Sequence, residues 1–130
     1  MSTTGSEAKE LPGDDPCRTR EVLDIVGDKW SLLVVRNLRQ GPRRFTELKR
    51  AIDGISQRML TVTLRSLERD GILTRTVRNV MPPHVSYELT PMGKTLRQAT
   101  APLLEWSITH LADIDAARAR YDARPDISPV

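Results

Sequence analysis

Few residues in this chain could carry reaction chemistry: one cysteine, Cys17, and two histidines, His84 and His110. A conventional zinc site takes four Cys or His ligands in close pairs, which this inventory does not supply. The sequence also has no Gly-rich phosphate loop, no Gly-x-Ser-x-Gly elbow and no plausible catalytic triad. It reads as a non-enzyme with no metal and no cofactor. What remains is recognition by fixed charge and hydrogen bonding. Between Ser56 and Arg69 stand Gln57, Arg58, Thr61, Val62, Arg65 and Arg69, a set without an acid. An arginine fork matches the two acceptors of guanine in the major groove, and glutamine matches the edge of adenine. Thr61 and Val62 are small enough for close approach to a thymine methyl. Arg75 and Arg78 on the first strand and His84 near the hairpin tip are placed to straddle the backbone or enter the minor groove, and Arg43 and Arg44 are further phosphate candidates. Such contacts position a protein on a duplex without reading its sequence.

The charge distribution points the same way. The net charge is only +3. From Arg36 to Arg78, however, eleven Lys/Arg stand against four Asp/Glu, and the remainder carries nine against thirteen. A basic block of +7 inside a chain that is otherwise −4 is the electrostatic footprint of a nucleic-acid surface. No stretch approaches the roughly 20 apolar residues of a membrane span. The first residues lack the apolar core of a signal peptide, so a cytoplasmic location is expected. The lone cysteine, which cannot build a disulfide framework, fits the same reducing compartment.

These side chains need elements to hold them. Residues 1–15 are polar, with Pro12 and Gly13 and no periodicity, and are expected to form a disordered arm. Residues 120–130 are expected to form a flexible tail, which leaves one domain over 16–119. A short helix is predicted from Thr19 to Val26. Asp28 is a plausible cap for the next helix, where Trp30, Leu33, Val34 and Leu38 recur at helical spacing. Gly41-Pro42 ends that helix, and a third follows with Phe45, Leu48 and Ile52. Ser56 can cap a helix to Asp70 that Gly71 stops, with Leu60, Leu64 and Leu67 as its buried stripe. Ile72 to Arg78 and Val85 to Leu89 pair as a two-stranded hairpin around Pro82-Pro83. Thr90-Pro91 opens a long helix to about Ala119, which Pro102 is expected to kink or split. Four helices, a hairpin and a long helix give a mainly α winged helix-turn-helix fold.

Several segments together resemble the HxlR family of regulators, relatives of the MarR proteins. They are Gly27-Asp28-Lys29-Trp30, Gly41 to Leu48 (GPRRFTEL), Gly54 to Thr61 (GISQRMLT), Leu64 to Gly71 (LRSLERDG), Pro82-Pro83 and Tyr87 to Gly93 (YELTPMG). The chain departs from the family at Val62-Thr63 and at Arg78-Asn79-Val80. The resemblance implies a transcriptional regulator that binds a pseudo-palindromic operator in double-stranded DNA as a homodimer, its N- and C-terminal helices forming the interface. Val22, Leu96, Leu103, Leu104, Trp106, Ile108, Leu111 and Ile114 are the apolar residues expected there; the alternative is a single broad core face. It also implies a role for Cys17, because several relatives sense oxidants or electrophiles through a cysteine at the start of the first helix. Such a position raises the thiolate fraction, and Arg18 and Arg20 act in the same direction. Without a second cysteine, Cys17 would pair with its counterpart in the other subunit, join a small thiol, or be alkylated; packing as an inert small hydrophobe is the bland reading. Two other readings stay open: a reversible small-molecule effector near Trp30, Phe45, Tyr87 and Trp106, and a winged helix that binds a protein.

Overall fold

A computed structural model describes residues 16–125, with the backbone alone at positions 16, 17 and 26. The elements in chain order are α1 (Pro16–Gly27), α2 (Ser31–Asn37), β1 (Arg43–Arg44), α3 (Phe45–Ala51), α4 (Gln57–Arg69), β2 (Leu73–Arg78), β3 (His84–Leu89) and α5 (Pro91–Ala123). None of the described helices is long and apolar enough to cross a membrane.

Local chemistry accounts for the element ends. Asp28 acts at the start of α2, two residues before the N-cap position, Trp30. One carboxylate oxygen accepts the Trp30 N–H at 3.0 Å and the other the hydroxyl of buried Ser31 at 2.8 Å. Gly54 (φ +84°) makes the turn between α3 and α4, and Gly71 (φ +78°) ends α4; both are left-handed conformations that disfavour a side chain. Thr90 Oγ1 accepts the Gly93 N–H at 2.9 Å and donates to the Gly71 carbonyl at 2.6 Å, so one hydroxyl ties the start of α5 to the end of α4.

The core is built from one face of each short helix: Val34, Val35 and Leu38 from α2, Leu48 from α3, and Leu60, Leu64 and Leu67 from α4. Ile52, Ile55, Ile72, Leu73, Tyr87 and Leu89 close it. Leu48 and Leu60 are completely inaccessible. Truncating either to alanine would cost about 2–5 kcal/mol.

The structure departs from expectation in three places. The wing is a three-stranded sheet in the order β1-β3-β2 rather than a two-stranded hairpin. Its extra strand is the pair Arg43–Arg44, opposite Tyr87 and Ser86. Helix α5 runs unbroken through Pro102. It also continues to Ala123, so residues 120–123 belong to the helix and not to a tail. The expected arm (1–15) and the end of the expected tail (126–130) lie outside the described residues.

Candidate nucleic-acid interface

Helix α4 is the element with the clearest division of labour. Ser56 Oγ accepts the Met59 N–H at 3.0 Å, which leaves the Gln57 and Arg58 N–H groups without partners in the helix. Its buried side is Leu60, Thr63, Leu64 and Leu67. At about 100° per residue, Arg58, Arg65 and Arg69 fall within about 40° of one another, centred opposite that side. All three are exposed, with Val62 (49% accessible) among them. Gln57 and Thr61 sit at the edge nearer the sheet, and the Thr61 hydroxyl donates to the Gln57 carbonyl at 2.9 Å. Thr63 is 2% accessible. Of the two departures from the family at Val62-Thr63, only Val62 can therefore touch a ligand.

Strand register sorts the remaining cations. Arg75 pairs with Tyr87, as does Arg43, and directly opposed residues share a sheet face. Arg78 pairs with His84, and Arg44 and Thr76 both pair with Ser86, which puts Arg44, Arg78 and His84 on the other face. Arg44 Nη2 lies 3.3 Å from His84 Nδ1. The wing arginines, with His84, thus form two groups where the sequence suggested one.

The Arg43–Arg75 face turns toward α4. A cleft of about 320 Å³ separates helix from sheet, lined by Phe45, Thr61, Leu64, Arg65, Glu68, Arg75 and Tyr87. It brings Arg65 and Arg75 to one place. It also brings in Glu68, an acid that sequence reasoning overlooked because the exposed face was counted without its sheet-side edge. Since Glu68 lies three residues after Arg65, helical spacing alone carried the signal.

The expected interface residues divide. Val22 on α1 is 58% accessible, and on α5 so are Leu103 (48%), Trp106 (53%), Ile108 (67%) and Leu111 (57%). Leu104 and Ile114 are half-buried. Leu96 is partly buried against the subunit's own core. Leu23, Met92 and Tyr121, which the sequence reading did not single out, are also more than half exposed. Cys17 is the second residue of α1, and its side chain lies outside the described residues.

A helix-turn-helix, α3 to α4, followed by a small antiparallel sheet that projects beside it, defines the class of winged helix-turn-helix transcriptional regulators. Comparison with known proteins agrees. Residues 25–115 match the HxlR-like helix-turn-helix model, and the chain belongs to that family. It is 41% identical over 104 residues to an uncharacterized HTH-type transcriptional regulator, YtfH, of Escherichia coli K12, covering 80% of this chain and 82% of that one. Among solved structures it is similar to the redox regulator HypR in its oxidised form, at 40% identity and a TM-score of 0.67, covering 72% of this chain and 96% of that one. Diamide-treated YodB of Bacillus subtilis is similar too, at 31% identity and a TM-score of 0.64, covering 74% and 94%.

Proposed function

We propose that this regulator binds a pseudo-palindromic operator in double-stranded DNA as a cytoplasmic homodimer and that modification of Cys17 alters its affinity. The observation that carries the DNA reading is the exposed arginine face of α4 with its free N-terminal N–H groups. Ser56, Gln57, Arg58, Thr61 and Val62 lie at the end of the helix that enters the major groove, and Arg58 makes the forked contact to guanine. Arg65, Arg43 and Arg75 hold phosphate on the sheet side, and Arg44, Arg78 and His84 hold it on the far side of the wing. The homodimer reading is supported by the number of large apolar residues left exposed on α1 and α5.

The Cys17 reading is supported by its place in the first turn of α1 and by the likeness to HypR and diamide-treated YodB. Oxidation joins Cys17 to the partner subunit's Cys17 or to a small thiol, and either product shifts the two recognition helices relative to each other. A second reading, a reversible effector, is favoured by an apolar groove of about 690 Å³ between α1 and α5. Val22, Ile25, Ile72, Met92 and Leu96 line it.

Fluorescence anisotropy on DNA from upstream of the protein's own gene tests these readings, with wild type, Arg58→Ala and Cys17→Ser, each with and without diamide. Palindrome-dependent binding that Arg58→Ala loses and that diamide alters only when Cys17 is present supports the whole reading. Indifference to diamide leaves the regulator and moves the signal to the α1–α5 groove. Absence of any sequence preference overturns operator binding and favours a protein-binding winged helix.

A further inference from the structure

We propose that the tip of the wing is an apolar wedge for the DNA minor groove, with Met81 as the inserted side chain and Val80 beside it. The proposal rests on the operator reading above and specifies what the far end of the β2–β3 hairpin does there. From Thr74 to Pro83 every residue is exposed, so the outer hairpin stands clear of the core. The last cross-strand pair is Arg78–His84, which leaves a five-residue tip, Asn79 to Pro83. Four of those five residues are apolar. Met81 is 95% accessible and Val80 47%, with Val77 (52%) just below them on β2. At that exposure the Met81 side chain contributes almost nothing to packing within its own subunit.

The surroundings select the occupant. Arg78, His84 and Arg44 stand at the base of the tip on one sheet face, with Arg44 Nη2 3.3 Å from His84 Nδ1. Two arginines below an apolar point suit the minor groove, about 6 Å wide and walled by phosphates on both sides. Methionine and proline are among the side chains that enter there between base steps, unstack them and bend the duplex. An apolar protein partner would have no use for the cations. Pro82 and Pro83 have fixed φ, so the tip is stiff before it binds and loses little freedom on insertion. The hairpin is also held beside the recognition helix, because Arg75 and Arg65 line one cleft. A duplex seated on α4 therefore lies within reach of the tip.

The test uses the full-length protein and operator duplexes carrying 2-aminopurine at successive flanking steps and a donor–acceptor pair at their ends. Wild type should raise 2-aminopurine fluorescence at one step per half-site and shorten the end-to-end distance. Met81→Ala should bind about tenfold or more weakly, with an unchanged salt dependence and neither signal. Met81→Leu should restore both. Because Met81 packs against nothing, the variants should melt as wild type does, and a melting curve for each confirms that they do. Wild-type binding with equal binding and equal bending by Met81→Ala overturns the wedge and leaves the operator reading intact. The same holds if Met81→Lys binds more tightly than wild type without unstacking, since the tip then acts through charge. Failure of wild type to bind the operator overturns both.

Discussion

Arg58 and Arg65 differ in what each can reach, although both stand on the exposed face of α4. Arg58 is in the first turn, where side chains meet base edges. Arg58→Ala should cost about 1–3 kcal/mol of operator binding and relax the preference at one base pair, leaving non-specific binding nearly intact. Arg65 is two turns in and shares a cleft with Arg75 and Glu68. Arg65→Ala should weaken specific and non-specific binding alike and reduce the salt slope by about one. Competition titrations at several salt concentrations separate the two patterns. On the operator reading Glu68 works against its neighbours, because its charge would repel the phosphate proposed for Arg65 and Arg75. Glu68→Gln should therefore bind DNA a few-fold more tightly at low salt, with the gain shrinking as salt rises. A loss of affinity instead would mean that Glu68 orients the arginines.

At the scale of elements, α5 shows how sequence and packing trade places. Glycine inside a helix is normally worse than alanine by about 1 kcal/mol, so Gly93→Ala looks favourable on propensity alone. A Cβ at Gly93 would overlap the backbone carbonyl of Ile72, which already accepts the Thr90 N–H at 3.0 Å. Overpacking against backbone reverses the sign: Gly93→Ala should destabilise the fold by about 1–3 kcal/mol, read by urea unfolding. The helices, their caps and the hairpin were legible because each is written in neighbouring residues: Ser56 before α4, Gly71 after it, Thr90-Pro91 before α5. Strand β1 was not, because two arginines carry no alternation and are a strand only through their partners Tyr87 and Ser86. The burial of Thr63 was hidden for a similar reason, since a polar side chain on a helix gives no hint that it is 2% accessible. The two-sided placement of Arg75 and Arg78 was available from parity alone, three residues apart on a strand. Only the register shows which face turns to α4.

For the whole molecule the question is what covers α5. The helix has 33 residues and is therefore about 50 Å long. Its first turns pack on the core through Gly93, Leu96 and Thr100. Beyond them Leu103, Trp106, Ile108 and Leu111 are each about half to two-thirds exposed. At about 25 cal/mol per Å² of apolar surface, covering these residues from two subunits at once is a strong drive to associate. A symmetric pair would also space two α4 helices for two half-sites, as a pseudo-palindrome requires. A double substitution, Ile108→Glu with Leu111→Glu, places charge where no core contact is lost, so the subunit should keep its far-ultraviolet circular dichroism. Sedimentation equilibrium should then find a monomer. Operator affinity should fall by about 10²–10⁴-fold, because the second half-site is no longer tethered to the first. Binding to an isolated half-site should be unchanged. A variant that stays dimeric at full operator affinity would place the interface elsewhere and leave these residues for another partner.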